Sequence, residues 1–513
     1  MAETGNAAVY FVDRHREGPA ADKTAFREAD GARRAITYRE LADRTDRMVG
    51  LLHGVGARRE DRAAMLMLDQ IETPVVFWGC LKAGVAPVPL NTLLTADVYR
   101  TILRDSRARI LFVSDALYDA AAPALAEAPD LHTVVVVGGE KRGGAIDFDK
   151  IFAESLPGRV VDASADEQGF WLYSSGSTGQ PKGVRHVHGA LKATADAYGA
   201  GVLGVRPDDV VYSVAKLFFA YGLGNAMTFP MSVGATTILF AGRPTPEAAR
   251  AILAEERPTI FCGVPTLYAA LAAHLEDVGA PDCPLRLCIS AGEALPADVG
   301  ERWRRLTGVD ILDGVGSTEM LHIFLSNAPG DVVYGTSGVA VPGYELRLID
   351  EEGAEVAQGE IGELLVSGAS AADGYWNNRA KSRGTFEGRW TRTGDKYWRD
   401  EVGRYVYCGR TDDMFKTSGV WVSPFEVESA LVSHDRVLEA AVVAARDEAG
   451  LDKPKAFVVL RGGAADDALT EALQDHVKAT VGPWKYPRWI EYAEDLPKTA
   501  TGKIQRFKLR AEA

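Results

Sequence analysis

The sequence predicts an α/β fold: a large multi-subdomain N-terminal body with layered, mostly parallel sheets plus a small barrel-like subdomain, then a small α+β C-terminal domain. Three observations predict it. Short, near-continuous apolar runs alternate with helical patterns to about residue 330, as parallel strands buried on both faces require. After about Val332 the segments become short and glycine-punctuated, which reads as hairpins. From about Asp412 a compact tail mixes helical and strand patterns.

In chain order, Thr37-x-x-Glu40 resembles a capping box and opens a helix through Leu41, Met48, Leu51 and Leu52 that Gly54 and Gly56 close. Apolar runs predict strands over 63–68, 110–113, 133–137, 235–240, 259–262 and 285–290, with a helix over 72–83. The segments 344–349 and 362–367, with turn signals at 350–353 and 400–403, supply the hairpins. The tail reads as helix 424–433, strands 438–444 and 456–460, and helix 466–480. The expected join lies near 410–413, giving domains 1–411 and 412–513.

The 513 residues carry 57 Lys+Arg against 71 Asp+Glu, a net charge of −14. This excludes broad backbone binding to nucleic acid, which needs clustered cations. The five cysteines, Cys80, Cys262, Cys283, Cys288 and Cys408, are odd in number and form no CxxC, so neither a disulfide nor a metal framework is expected. The N-terminus shows no basic segment leading into an apolar one, and the apolar stretch 74–81 falls far short of the ~20 residues of a membrane helix. A cytoplasmic protein without a membrane partner is the expectation.

The segment Tyr173-Ser-Ser-Gly-Ser-Thr-Gly-Gln-Pro-Lys-Gly-Val184 concentrates glycine and hydroxyl residues after the apolar Phe170-Trp-Leu172. It reads as a flexible loop whose amides and hydroxyls can wrap a polyphosphate, with Lys182 adding a point charge. It is not a Walker A loop, because Pro181 and Gly183 flank the lysine where that motif needs Gly and Ser/Thr. GxSxG and GxGxxG are absent from it.

This loop resembles the signature of the acyl-adenylate-forming superfamily, which includes acyl-CoA synthetases, peptide-synthetase adenylation domains and luciferases. Gly314-Val-Gly-Ser-Thr-Glu319, Thr393-Gly-Asp395, Gly409-Arg-Thr-Asp-Asp-Met-Phe-Lys-Thr-Ser-Gly419 and Pro497-Lys-Thr-Ala-Thr-Gly-Lys503 match its successive motifs in order. The segments 216–225, 290–296 and 319–327 are similar to benzoate and hydroxybenzoate CoA ligases. The resemblance covers essentially the whole chain.

The resemblance implies an ATP-dependent aryl-CoA ligase: a carboxylate attacks the ATP α-phosphorus, diphosphate leaves, and the thiolate of coenzyme A attacks the acyl-adenylate. It implies that Ser174, Ser175, Ser177, Thr178 and Lys182 hold the β/γ-phosphates, that Thr318 bonds the α-phosphate and that Glu319 holds Mg²⁺. Asp395 and Arg410 would grip the ribose. Gly292, Glu293, Asp313, Gly314 and Val315 would border adenine. Lys503 would sit between the acid and the α-phosphate, delivered by a mobile C-terminal domain that turns about Asp412. Gly419, Val420 and Trp421 would line the pantetheine tunnel. Phe219, Ala220, Tyr221, Gly222, Gly316, His322 and Ile323 would form the aryl-acid pocket, with Lys416 near its mouth.

Several alternatives stay open on the residues alone. Glu319 could be a helix N-terminal carboxylate, Phe-Phe-Ala-Tyr could be plain core, and His322 could either bond a ring hydroxyl or only pack. The partners expected are a small aromatic acid and CoA, in a monomer or homodimer. Competing functions are a stand-alone adenylation enzyme loading a carrier protein, a ligase for another small acid, a luciferase-like oxygenase and a silent ligand-binding protein.

Overall fold

The structure is a computed structural model that describes residues 4–139, 142–175, 180–417, 420–447, 451–498 and 504–512. The expected strands and helices form within one to four residues of their predicted bounds. Thr37 caps the helix Tyr38–Gly54 with a complete capping box. No helix among the described residues is long and apolar enough to cross a membrane.

Two large sheets build the body. A five-stranded parallel sheet runs in the spatial order Ala86–Pro89, Arg62–Leu66, Ile110–Ser114, Thr133–Val137, Ile146–Asp147. In a nine-stranded sheet, six strands are parallel neighbours: Ile311–Gly316, Leu287–Ala291, Ile260–Gly263, Val210–Ser213, Thr236–Leu239 and Thr24–Glu28. In each sheet the chain leaves one strand in both directions: Arg62–Leu66 in the first, Val210–Ser213 in the second. The carboxyl ends of such strands open into the crevice where α/β sheets bind ligands.

A smaller antiparallel sheet joins Gln168–Ser175, Pro181–Val187 and Gly374–Tyr375. This refines the flexible-loop reading of 173–184. Tyr173 pairs with Gly183, Ser174 with Lys182 and Ser175 with Pro181, so Lys182 stands on a return strand. The glycine-punctuated region forms a five-stranded antiparallel sheet that includes Glu345–Ile349, Gly362–Ser367, Trp390–Arg399 and Tyr405–Arg410.

The tail has its own core. Val427, Leu431, Val442, Val458, Leu473 and Val477 pack the helices Pro424–Val432 and Asp467–Val481 onto the sheet Val437–Arg446, Asp452–Leu460, Trp489–Tyr492.

Candidate active site

The site is organised by one tight turn. Gly316 ends Ile311–Gly316, and the chain returns antiparallel from Ile323 with a register slip at Gly316. A Cβ on Gly316 would lie 2.5 Å from the His322 carbonyl oxygen, so only glycine fits. Leu321 N–H donates to Thr318 O at 3.1 Å and His322 N–H to Met320 O at 2.8 Å. Leu321 takes φ +66°, a strained value for a branched residue that surrounding bonds must hold. Ser370 Oγ donates to Met320 O at 2.7 Å and Ala372 N–H to Glu319 O at 2.8 Å. No helix begins here, so the helix-dipole reading of Glu319 falls. Within four residues the turn carries Glu319, which accepts from the Tyr375 hydroxyl, and His322, which packs among aromatic rings, while Ile323 lies over Gly314.

The first side is charged and paired. The Tyr375 hydroxyl donates to Glu319 Oε1 at 2.8 Å, and Lys182 Nζ stands 5.3 Å from the Tyr375 ring centroid. Burial lowers the Lys182 pKa, which Glu319 offsets in part and Lys381 and Arg410 deepen. Asp395 and Arg410 are opposite neighbours on adjacent strands, with Nη1 3.0 Å from Oδ1 and 2.9 Å from Thr393 O. Gly394 has φ +71°, and a Cβ there would meet Arg410 Nη2 at 2.7 Å, which explains the glycine between Thr393 and Asp395. Burial alone would lower the Arg410 pKa, but Asp395 and Asp412 more than reverse it, so the guanidinium stays charged.

Asp313 and Gly314 pair with Ser290 and Ala291 in parallel register. Gly292 follows at φ +99°, and Glu293 is exposed beside it. Asp313 is buried, its Oδ1 has no hydrogen-bond partner among the described residues, and burial drives its pKa well up.

The second side is buried and neutral. The 219–222 turn follows Val210–Ser213 at the switch of the nine-stranded sheet. There the Tyr221 hydroxyl donates to Gly263 O, at the end of Ile260–Gly263, and to Ile289 O, in the middle of Leu287–Ala291, both at 3.1 Å. A Cβ on Gly222 would come 2.1 Å from Lys216 O. His322 is 2 % exposed and Ile323 1 %. Burial pushes the His322 pKa down to about 3, against a small opposing pull from the Tyr221 backbone. Its Nε2 lies 3.2 Å from Tyr221 O, a carbonyl that only accepts, so Nε2 carries the proton. Nδ1 is then a buried acceptor with no partner among the described residues.

Sequence reasoning placed Tyr221 beside His322 but missed two further neighbours. With Tyr221 at 5.7 Å, Tyr198 and Phe229 surround the His322 ring at centroid distances of 5.5 and 4.5 Å. Tyr198 and Gly224 belong to π-helical turns, Ala195–Ala200 and Gly224–Thr228, and a Cβ on Gly224 would strike His322 Cδ2 at 2.3 Å. The glycine inside an apolar helical pattern was the available signal. Tyr375 had none, because its link to Glu319 spans 56 residues.

Two of the remaining predicted residues belong to the segment that follows Arg410. Lys416 is exposed on Phe415–Thr417, an element of the C-terminal unit rather than of the pocket walls. Asp412 is exposed, with its carboxylate 3.6 Å from Arg410 Nε and its carbonyl accepting from Arg510 at 2.8 Å. Ser177, Thr178, Gly419 and Lys503, and the side chains of Ser175, Val420 and Trp421, lie outside the described residues. No group of three or more His, Cys, Asp or Glu side chains gathers as a metal cage among the described residues. A single Glu319 carboxylate suits an ion that takes its other ligands from phosphate and water, as Mg²⁺ does.

Comparison with known proteins gives the family. The model of the AMP-binding enzyme family matches residues 12–376, and that of the AMP-binding enzyme C-terminal domain matches 426–503. A 4-hydroxybenzoate–CoA/benzoate–CoA ligase of Rhodopseudomonas palustris is 51% identical, over 98% of this chain and 94% of its own. A benzoate–CoA ligase of Thauera aromatica is 52% identical, over 100% and 97%. The solved structure of a benzoate CoA ligase from Burkholderia xenovorans superposes with a TM-score of 0.90 at 50% identity, covering 98% of this chain and 99% of its own. With both family segments present in order around a shared adenylate-forming architecture, the chain belongs to the AMP-binding enzymes.

Proposed function

We propose that this enzyme is an ATP-dependent aryl-CoA ligase. It activates benzoate or a small substituted benzoate such as 4-hydroxybenzoate, through an aryl-adenylate, to aryl-CoA, AMP and diphosphate. The observation that carries this reading is the 316–323 turn. It joins a buried cluster of neutral rings to a cluster of charged groups, so an aromatic ring and an α-phosphate can meet at one short segment. A flat apolar ring needs the first environment and a polyphosphate the second.

The chemistry is positioning and charge neutralisation, since both the attacking carboxylate and the phosphate are anionic. Lys182 and the hydroxyls of 174–178 hold the β- and γ-phosphates. Thr318 bonds the α-phosphate, Asp395 and Arg410 hold the ribose, and adenine lies along 292–293 and 313–315. Glu319 would hold Mg²⁺, which supplies further neutralisation of the phosphates when bound. Lys503 bridges acid and α-phosphate from a C-terminal domain, 412–513, that moves against the body, 1–411, about Asp412. Gly419, Val420 and Trp421 then line the path of the pantetheine thiol. Lys416, carried on that domain, would stand near the mouth of the aryl pocket.

The buried Nδ1 acceptor of His322 supports hydroxylated rings among the substrates. A ring hydroxyl would satisfy an atom that benzoate leaves unpaired. The absence of a membrane-spanning helix among the described residues is consistent with work in the cytoplasm.

The test is AMP release with ATP, Mg²⁺ and CoA across benzoate, the three hydroxybenzoates, aminobenzoates, cyclohexanecarboxylate and a medium-chain fatty acid. CoA-dependent turnover with preference for one aromatic acid is expected. Diphosphate exchange without CoA-dependent turnover would transfer the activity to a carrier-protein acceptor. Preference for an aliphatic acid would overturn the aryl assignment.

A further inference from the structure

Asp69 lies three residues beyond Arg62–Leu66, at the switch of the five-stranded sheet. Lys216 and Leu217 lie just beyond Val210–Ser213, at the switch of the nine-stranded sheet. One contact joins the two crevices: the Leu217 amide donates to the Asp69 carboxylate, 3.3 Å from Oδ1 and 3.2 Å from Oδ2, across 148 residues of sequence.

From the other flank, Lys216 Nζ donates to Phe240 O and, at 2.8 Å, to Gly242 O. Asp30 fixes that strand end by accepting from Ala241 N–H at 3.3 Å and Gly242 N–H at 2.9 Å. The 216–222 turn is closed on itself as well. Phe219 N–H donates to Lys216 O at 3.0 Å, Leu223 N–H to Phe219 O at 2.8 Å, and Gly222 leaves no room against Lys216 O. A displacement of Leu217 is therefore passed to Phe219 and Tyr221.

Asp69 is 5 % exposed, and its carboxylate makes no ion pair within 4 Å among the described residues. A buried carboxylate with one amide donor destabilises a fold, so its presence calls for a gain elsewhere.

We propose that Asp69 is a positioning residue of the aryl-acid site, anchoring the 216–221 wall to the first sheet through the Leu217 amide. The inference rests on the aryl-CoA ligase reading and deepens it. The ionisable groups facing Asp69 are Lys216, Asp30 and the buried Tyr212 phenol. Burial raises the Asp69 pKa to about 6, with Lys216 and the Leu217 amide pulling down and Asp30 pushing up. Protonation below that value replaces a charge-assisted bond by a weaker neutral one.

The test compares the full-length enzyme with Asp69→Asn and Asp69→Glu, reading kcat/KM for the aromatic acid and KM for MgATP from pH 5.5 to 8.5, and thermal unfolding. Asp69→Asn keeps the shape and an acceptor but not the charge. It should lower kcat/KM for the acid about five- to tenfold at pH 7.5, as loss of a charge-assisted bond predicts. The MgATP KM should stay within about twofold, Tm should hold or rise, and the acid-side fall near pH 6 should vanish. Asp69→Glu should restore the charge and part of the efficiency. Equal loss toward both substrates, unchanged acid kcat/KM, or persistence of the acid limb in Asp69→Asn would each overturn the proposal. If the native enzyme turns over no aromatic acid, the ligase reading fails instead, and the same split is read on the acid it does accept.

Discussion

The two sides of the 316–323 turn solve opposite electrostatic problems. On the nucleotide side charged groups face opposite or polar ones: Glu319 accepts from Tyr375 and offsets the burial of Lys182, and Asp395 pairs with Arg410, while buried Asp313 keeps one oxygen without a partner among the described residues. On the aryl side, burial pushes the pKa of each titrating ring away from its charged form, His322 downward and Tyr198 and Tyr221 upward. On the proposed function, a ligand of four negative charges and one of a flat apolar ring would be met at one loop. Neutrality in the aryl pocket is imposed by dehydration, whereas charge on the nucleotide side is kept by pairing.

Removing a paired charge should have the largest effect. Glu319→Gln is expected to lower adenylation kcat by about 10²–10³, the scale for loss of one preorganised electrostatic contact. Binding of the aromatic acid, followed by calorimetry, should hardly change. Comparable loss of acid affinity would mean that the two sides do not work separately.

The hinge comes next. Asp412→Pro fixes φ at the position tied to Arg410 and Arg510 and should slow thioester formation about tenfold or more while leaving diphosphate exchange within about twofold. Equal loss in both half-reactions would sink the two-conformation reading.

His322→Ala tests the aryl side. If Nδ1 accepts a ring hydroxyl, 4-hydroxybenzoate should lose about tenfold more kcat/KM than benzoate, the scale of one buried hydrogen bond. An equal factor for both acids leaves the histidine a packing role only.

The fold was legible because its signals are local. Thr37 and Glu40 cap within one turn, and runs such as Thr133–Val137 advertise burial by composition. The charged residues of the site were legible through their ordered motifs. What stayed hidden were contacts made across the fold. Tyr375 reaches Glu319 only because Gly374–Tyr375 pairs with the return strand of the phosphate hairpin. Asp69 meets Leu217 only because two sheets abut. Asp395 and Arg410 look like turn residues singly, and become a pair through the register of neighbouring strands.

The smallest effect probes the neutrality itself. Burial holds His186 and His322 near pKa 3 and His188 near 4, below the ordinary 6.5. Above pH 6.5 all three are neutral in both folded and unfolded chains and add no pH dependence. As pH falls from 6.5 toward 3 or 4, the unfolded chain takes up protons that the folded one refuses. Each histidine then removes up to about 1.4 kcal/mol of stability per pH unit. Asp69 opposes this between about pH 6 and its ordinary value of 3.8, because its raised pKa makes the folded chain the better proton acceptor. The net acid slope therefore mixes signs, and a difference between variants isolates one group. His186 stacks on Phe170 at 5.0 Å and 16°, a site that a phenyl ring can fill. His186→Phe should lose less Tm than the native enzyme between pH 7.5 and 5.5. A parallel fall in both would mean that His186 gains its proton in the folded state, and that its surroundings beside Phe170 are wetter than its burial implies.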